Sequence, residues 1–242
     1  MTGSAGHGIG QGIARRLAAG GATVIVTDSN ERRTKEVAEA IGRDHDVTVA
    51  GYTMDVTDRA RIAEVLDEVG RKYGNVQILV NNAAWNVLGD VFEYDFADWD
   101  RVLDVDLNGP YNTTRLALPG MRDAGGGVIV NISSIGADVA AGSGETPYAV
   151  AKGGLNTLTR QIARVGGPHK IRCNAVALGL VTGTRFTDMR PHLIEEVAPL
   201  IPLGRPGHAS DVVEAAAFLA SDRASFITGE ILNVSGGFYM RT

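Results

Sequence analysis

Tyr148 and Lys152 have the side-chain types and the spacing that could transfer a proton. They stand four positions apart in segment 148–165, whose pattern predicts a helix, so both side chains lie on one helix face, a turn apart. A free phenol, with a pKa of about 10, is a poor base at neutral pH. A neighbouring ammonium group favours the phenolate and lowers that pKa, which suits general acid–base catalysis. The pair therefore predicts a site in which Tyr148 gives and takes the proton.

Ser134 is a third candidate catalytic residue. It lies fourteen residues before Tyr148, just past the predicted strand 127–132. A hydroxyl at that strand end can hold a substrate oxygen beside the tyrosine, whereas a lone serine there is more often a turn residue. Both interpretations stay open on these residues alone.

A glycine-rich turn at residues 2–10 leads directly into the first predicted helix. Gly3, Gly8 and Gly10 let the backbone approach a pyrophosphate closely, and the helix that starts near Ile9 offers free N–H groups. The turn therefore predicts a dinucleotide site, although glycine-rich turns before helices are common.

Asp28 ends the next predicted strand, eighteen residues after Gly10. A carboxylate there accepts hydrogen bonds from the adenosine ribose hydroxyls and repels a 2′-phosphate, so it predicts NAD, with NADP the less favoured cofactor. The alternative is that Asp28 caps the helix that begins near Asn30. Arg32 and Arg33 follow closely and weaken the preference without reversing it.

Two further groups of residues lie at predicted strand ends, where open α/β sheets bind ligands. Asp55 and Val56 follow one strand, and Asn82 with Ala83 and Ala84 follows another. We predict that these residues contact the cofactor; ordinary turn chemistry is the alternative.

The elements that position these residues alternate between short apolar strands and amphipathic helices. That alternation predicts an α/β fold: a single Rossmann-type domain over 1–242, with a doubly wound parallel sheet covered by helices on both faces. Segment 185–206 breaks the alternation and predicts a substrate cap with a short helix, or else a plain surface insertion. The predicted strands are 23–27, 76–80, 127–132, 171–177 and 230–234.

The composition argues against several kinds of site and partner. The net charge of −5 and the absence of basic runs argue against nucleic acid and anionic membranes. The single cysteine, Cys173, lies in an apolar stretch and is a predicted core residue, while the scattered histidines predict no metal site. With no predicted signal peptide or membrane span, we expect a cytoplasmic protein with a small-molecule substrate.

The chain resembles the short-chain dehydrogenase/reductase family over nearly its whole length, and its carboxyl-terminal half most resembles the 3-oxoacyl-carrier-protein reductase branch. The resemblance rests on residues 2–10, Asp28, Asp55, 81–83, Ser134, Tyr148, Lys152, 174–179 and 227–230.

The resemblance implies NAD(P)-linked oxidation or reduction at a carbinol carbon. Tyr148 would then be the acid–base residue, Ser134 would orient the carbonyl, and Lys152 would bind the nicotinamide ribose while it lowers the tyrosine pKa. Val181 would lie against the nicotinamide carboxamide. It also implies a homotetramer or homodimer that pairs helices 107–121 and 148–165.

The sequence departs from the family pattern at several positions. The glycine turn has one extra residue, Ala84 replaces a glycine, and Leu178 replaces a proline. Asp106 stands where the family has the asparagine that completes its catalytic tetrad. Asn108 lies about 200° further around a helix and so is not a simple substitute. We therefore include Asp106 among the candidate catalytic residues.

Three functions remain in view. The first is hydride transfer between NAD(H) and a secondary alcohol or ketone. The second is an NADP-dependent 3-oxoacyl-thioester reductase, and the third is a catalytically inactive nucleotide-binding regulatory protein. The presence of Ser134, Tyr148 and Lys152 favours an enzyme.

The glycine turn follows Met1 directly, whereas in the family an apolar strand precedes it. That first strand, missing or truncated here, normally lies between the strand ending at Asp28 and the strand ending near Asn81. Since neighbouring strands are ~4.8 Å apart, its loss would open a gap of about two spacings. We expect an unstable chain, a sheet that closes up or borrows a strand, or a natural start roughly ten residues upstream.

Overall fold

The computed structural model describes residues 1–139 and 144–240, and within them helices alternate with parallel strands. The strands are β1 (Val24–Asp28), β2 (Val49–Thr53), β3 (Ile78–Asn81), β4 (Gly127–Ser134), β5 (Ile171–Leu178), β6 (Val181–Thr182), β7 (Gly207–His208) and β8 (Ile231–Val234). The α-helices are α1 (Ile9–Ala19), α2 (Glu31–His45), α3 (Arg59–Tyr73), α4 (Phe96–Leu103), α5 (Gly109–Asp123), α6 (Thr146–Gly166), α7 (Arg185–Asp188), α8 (His192–Val197) and α9 (Ala209–Ala220). A π-helix, Asp104–Asn108, joins α4 to α5. Each predicted strand is found within two residues of its predicted bounds.

The central strands run parallel in the order β3-β4-β5-β8, and β1 pairs with β2 in a separate ladder. Consecutive residues of β4 point to opposite faces, because side chains alternate along a strand. Ile129 packs with Met121 of α5 and Ile162 of α6, whereas Val130 packs with residues of α1 and α9 such as Ile13. Helices thus cover both faces, which confirms the predicted doubly wound Rossmann-type sheet.

Residues 1–4 lie between the two ladders, at the position predicted for the shortened first strand. The Met1 backbone nitrogen donates to the Ile25 carbonyl at 2.9 Å, and the Thr2 N–H donates to the Val80 carbonyl at 3.0 Å. In the described part of the chain β1 does not pair with β3, so the sheet has not closed up. These four residues bridge the two strands, with hydrogen bonds to Ile25 and Thr27 of β1 and to Val80 of β3.

Segment 185–206 contains two short helices, α7 and α8, followed by a 3₁₀ turn at Ala198–Leu200. It exposes the apolar side chains of Met189, Leu200 and Leu203. Cys173 is fully buried in the core, as predicted, and burial raises the pKa of its thiol to about 12. Among the described residues, no helix has the length and apolar character of a transmembrane span.

Candidate active site

The glycine turn packs tightly against the two segments beside it. A Cβ on Gly3 would lie 2.6 Å from Ala83 Cα, and one on Gly10 would lie 2.5 Å from the Gly3 carbonyl oxygen. Gly8 has a φ of 102°, and its Cβ would lie 2.8 Å from the carbonyl oxygen of Gly183. A side chain at any of these positions would push the turn apart, which is the physical reason for glycine there.

The first turn of α1 has the properties of an anion site. Its N-cap, Gly8, makes no side-chain cap hydrogen bond, and its first turn carries no acidic residue. The N–H groups at Ile9 and Gly10 therefore keep the partial positive charge of a helix N-terminus uncompensated by a side chain. This fits a pyrophosphate, as the sequence predicts.

Asn82 fastens the end of β3 to the glycine turn. Its side-chain amide donates to the Gly3 carbonyl at 2.8 Å, and its backbone N–H donates to Thr2 Oγ1 at 3.0 Å. The N–H of Ala83 reaches the same hydroxyl at 3.2 Å. The candidate residues of the turn and of β3 are therefore neighbours, while Ala84 is exposed at their edge.

Asp28 stands at the carboxyl end of β1 with its carboxylate turned toward the glycine turn. Its oxygens accept hydrogen bonds from the N–H groups of Ala5, at 3.3 Å, and Asn30, at 3.1 Å, and Arg33 Nη2 lies 3.8 Å away. The side chain that caps α2 is Asn30, which accepts from the Arg33 N–H. The capping role considered for Asp28 thus belongs to Asn30.

Asp55 and Val56 follow β2. The Asp55 carboxylate accepts from both the N–H and the hydroxyl of Thr57, at 2.9 and 2.8 Å, which is the turn chemistry that the sequence left open. Val56 is buried, and its side chain would collide with a Cβ on Gly109. It therefore fixes the distance between this strand end and α5.

Tyr148, Lys152 and Ser134 lie together at the carboxyl end of β4. Tyr148 and Lys152 occupy the first turns of α6, and Lys152 Nζ lies 5.2 Å from the centroid of the tyrosine ring. The ammonium also donates to the Ile132 carbonyl at 3.1 Å. Ser134 Oγ accepts the Gly136 N–H at 3.0 Å and is hydrogen-bonded to the Tyr148 hydroxyl. The three residues singled out from their types and spacing thus form one cluster.

Asp106 is the fourth member of this cluster. It lies in the π-helix with its side chain fully buried, and its Oδ2 is 3.1 Å from Lys152 Nζ. The Trp85 N–H donates to its other carboxylate oxygen at 2.6 Å. Asn108 is exposed and bonds instead to Asp104, so it does not take the place of Asp106.

The electrostatics of the cluster correct one expectation. Burial raises the pKa of Tyr148 above its usual value, and Lys152 opposes this rise, as does the hydrogen bond from Ser134. Asp106 and Glu145 repel the phenolate and add to the rise. The sequence argument thus had the sign of the Lys152 effect right and the net direction wrong, because it did not include desolvation.

Within the buried pair of Asp106 and Lys152, charge attraction opposes the effect of burial on each group. Burial alone would lower the pKa of Lys152, but the attraction of Asp106 and then of Tyr148 outweighs it, so the net direction is upward. Burial raises the pKa of Asp106, and Lys152 and the Trp85 N–H act against that rise. The ammonium beside Tyr148 is thus matched by a carboxylate on its other side.

Three residues near the cluster were missed from the sequence: Trp85, Asn86 and Glu145. Glu145 precedes Tyr148 by one helical turn, and Asn86 Nδ2 donates to its Oε1 at 2.6 Å. Glu145 could have been identified from the sequence, because a spacing of three residues places it on the same helix face as Tyr148. Trp85 and Asn86 follow β3 in a loop without a motif, so only the fold brings them here.

Val181 is buried in β6, and Gly183 beside it contacts Gly8, so the predicted nicotinamide side adjoins the glycine turn. Gly179, which follows Leu178, has no room for a side chain, since its Cβ would lie 2.9 Å from Ser235 Cβ. Over residues 1–139 and 144–240, no three His, Cys, Asp or Glu side chains are grouped as a metal site would require.

Comparison with known proteins agrees with this geometry. Residues 3–239 match the family model described as enoyl-(acyl carrier protein) reductase. The 3-oxoacyl-(acyl-carrier-protein) reductase of Thermotoga maritima is 38% identical over 239 residues, covering 98% of this chain and 95% of that protein. The corresponding reductase of Pseudomonas aeruginosa is 35% identical, with 98% and 95% covered.

A solved structure is also similar over the full fold. It is a gluconate 5-dehydrogenase from Burkholderia cenocepacia in complex with NADP and tartrate, with 30% identity and a TM-score of 0.91, covering 98% of this chain and 92% of that chain. Together with the cluster of Ser134, Tyr148 and Lys152, these matches establish the class. The chain belongs to the short-chain dehydrogenase/reductase family and is an NAD(P)-dependent oxidoreductase that acts on CH–OH groups.

Proposed function

We propose that this enzyme interconverts a secondary alcohol and a ketone, with Tyr148 as its acid–base residue and NAD(H) as its preferred cofactor. The observation that carries the proposal is the cluster at the end of β4, where Lys152 contacts Tyr148 on one side and Asp106 on the other. A phenol held between an ammonium and a serine hydroxyl has the groups needed to exchange a proton with a substrate oxygen.

Each side chain has a distinct task in alcohol oxidation. Ser134 holds the substrate oxygen by a hydrogen bond. Tyr148, as phenolate, takes the hydroxyl proton, so that the C–O bond becomes a carbonyl as hydride leaves the carbon. Lys152 stabilises the phenolate, and Asp106 holds Lys152 in place. A nicotinamide held beside Tyr148 and Lys152 would supply the hydride acceptor for oxidation and the hydride donor for reduction. In ketone reduction Tyr148 returns the proton to the oxygen.

The residues that we propose to bind the cofactor, named the cofactor strip, lie in the glycine turn, at or after the ends of β1, β2 and β3, at the start of α6 and in β6. The uncapped start of α1 suits the pyrophosphate, and Asp28 suits the adenosine ribose. Tyr148, Lys152 and Val181 suit the nicotinamide end. The strip comprises Gly3, Gly8, Ile9, Gly10, Asp28, Asp55, Val56, Asn82, Ala83, Ala84, Tyr148, Lys152 and Val181.

The preference for NAD rests on Asp28. Its side chain is 12% exposed, and a 2′-phosphate placed beside it would meet a carboxylate rather than a cation. The gluconate 5-dehydrogenase was solved with NADP, and Arg33, 3.8 Å from Asp28, is a cation that a 2′-phosphate could recruit. Kinetics with both cofactors must therefore decide between them.

A second candidate function is NADP-dependent reduction of a 3-oxoacyl thioester. It is favoured by the names of the relatives, which are 35 to 38% identical over almost the whole chain. A thioester such as acetoacetyl-CoA tested with NADPH, against a panel of secondary alcohols tested with NAD⁺, separates the two candidates.

Three further features belong to the same proposal. Segment 185–206 would cap the substrate, and the domain would extend over 1–242. A homotetramer or homodimer would cover the exposed apolar side chains of Tyr111 on α5 and of Val150 and Val165 on α6. The cytoplasmic location and the absence of a nucleic-acid partner remain predictions from composition.

Replacing Tyr148 by Phe tests the assignment. The change removes the proposed proton-transfer group, whose kind contributes typically about 10²–10⁴-fold. We expect turnover at least about a hundred times slower, with NADH binding retained in a fluorescence titration. Tyr73→Phe, on the exposed end of α3, is the matched control and should behave as wild type. Undiminished turnover in Tyr148→Phe would place the acid–base group elsewhere.

A further inference from the structure

Two carboxylates and one ammonium act on the reacting end of this site. The charged side chains whose fields bear on Tyr148 are Lys152, Asp106 and Glu145. The carboxylates outnumber the ammonium, so the surroundings of the tyrosine carry an excess negative charge. With the asparagine that the family has at position 106, Lys152 would be balanced by Glu145 alone.

Glu145 is held in place from outside its own helix. Asn86 Nδ2 donates to Glu145 Oε1 at 2.6 Å, and the Gly89 N–H donates to the carbonyl of the preceding residue, Gly144, at 3.0 Å. Tyr94 adds a hydrogen bond from its hydroxyl to the same carbonyl. The loop after β3 thus fixes the carboxylate one turn before Tyr148, on the same side of α6.

Asp106 opposes the field of Lys152 at close range. The two groups are 3.1 Å apart, and their side chains are 0% and 3% exposed, so solvent screens neither. Arg101, a cation of the same neighbourhood, stacks over the Trp85 ring at 4.1 Å and is exposed, so water screens its charge. The excess charge therefore has no buried cation to offset it among these residues.

We propose that Asp106 and Glu145 make this site select the oxidised over the reduced nicotinamide, and so fit the enzyme to alcohol oxidation. The proposal rests on the proposed function. The oxidised ring carries one positive charge and the reduced ring is neutral, while the rest of the cofactor is the same in both. A fixed negative charge near the ring therefore strengthens the binding of the oxidised cofactor relative to that of the reduced cofactor.

The two carboxylates change the affinities for NAD⁺ and NADH and leave the overall equilibrium of the reaction unchanged. An enzyme that holds NAD⁺ firmly and NADH loosely is less inhibited by its reduced product when it oxidises an alcohol. A unit charge about 10 Å from the ring, at the effective dielectric constant of about 20 found in partly screened sites, changes affinity by about tenfold. The effect of each carboxylate on cofactor affinity should therefore be measurable separately.

The test compares dissociation constants for NAD⁺ and NADH by calorimetry, at fixed ionic strength and neutral pH. The variants are Asp106→Asn, Glu145→Gln and the two combined. Asp104→Asn and Glu93→Gln are matched controls, because each removes one carboxylate from an exposed position in the same helix or loop. Retained NADH binding shows in each case that the site is folded.

We expect each active-site variant to weaken NAD⁺ binding about three- to thirtyfold, with NADH binding changed less than about twofold. The double variant should approach the product of the two effects, and the controls should match wild type. An unchanged affinity ratio in both single variants, an equal loss for both nucleotides, or an equal shift in the controls would overturn the inference.

The same titrations separate this inference from the proposed function. If wild type binds neither nucleotide, the proposed function fails, and the inference fails with it. If wild type binds both nucleotides and oxidises secondary alcohols, but the ratio of the NAD⁺ and NADH dissociation constants does not change in the Asp106 and Glu145 variants, only the inference fails.

Discussion

The carboxylate of Asp106 and the ammonium of Lys152 form a buried ion pair, with Oδ2 3.1 Å from Nζ. Removing one partner of such a pair leaves an uncompensated buried charge and costs about 3–5 kcal/mol of stability. An amide at position 106 keeps one oxygen, which can accept from either Lys152 or the Trp85 N–H, so Asp106→Asn removes the charge with little change of shape. This substitution therefore tests how far the charge of Asp106 determines the pKa of Tyr148.

The first prediction concerns the pH dependence of Asp106→Asn. Asp106 repels the phenolate and so raises the pKa of Tyr148; without its charge that pKa falls. Alcohol oxidation requires the phenolate, so its acid limb should move to lower pH, with kcat at neutral pH kept or raised. Profiles of kcat/KM against pH measure this, with Asp104→Asn as control. A limb that stays in place would show that the charge of Asp106 does not influence the proton transfer.

The second prediction concerns the cofactor. We expect wild type to have the higher kcat/KM with NAD(H), and Asp28→Asn to shift the ratio toward NADP(H) by at least about tenfold, or about 1.4 kcal/mol. The amide keeps one oxygen, which can accept from the N–H of either Ala5 or Asn30, and it no longer repels a 2′-phosphate. Glu31→Gln, an exposed carboxylate three residues on, should leave the ratio unchanged. Equal or better wild-type kinetics with NADPH would refute the NAD assignment.

The third prediction separates backbone strain from steric contact at the glycine turn. Gly8 and Gly74 both have positive φ, 102° and 86°, but only a Cβ on Gly8 would meet an atom, the Gly183 oxygen at 2.8 Å. Gly74→Ala should cost about 1–3 kcal/mol from its backbone conformation alone. Gly8→Ala should cost more in thermal melts and should also weaken NADH binding. If the two variants lose equal stability and NADH binding is unaffected, the turn is not a close-packed cofactor site.

The fourth prediction concerns assembly. Light scattering coupled to size exclusion should give the mass of a homotetramer or homodimer, because Val150 and Val165 leave an apolar face of α6 exposed at 47% and 59%. Val165→Glu should lower that mass, whereas Tyr73→Glu on α3 should not. A wild-type mass equal to one chain of 25.5 kDa would contradict the proposal.

Much of the site could be predicted from local sequence, because the relevant spacings are short. Tyr148 and Lys152 share a helix face by their four-residue spacing, whatever the rest of the fold does. Gly3, Gly8 and Gly10 were identified by their place in the turn that leads into α1, and the apolar runs of β4 and β5 indicated strands buried on both faces. Alternation of these elements was enough to specify a parallel sheet with helices on both sides.

Tertiary structure alone decided the relationships between residues distant in sequence. Glu145 meets Asn86 across 59 positions, and Trp85 meets Asp106 across 21, because β3, the π-helix and α6 converge at one sheet edge. The net direction of the Tyr148 pKa depends on burial, which no spacing encodes, since desolvation is summed over every atom packed around the hydroxyl. The hydrogen bonds from residues 1–4 to β1 and β3 likewise depend on how the β1–β2 ladder lies beside the central ladder, which no local sequence pattern specifies.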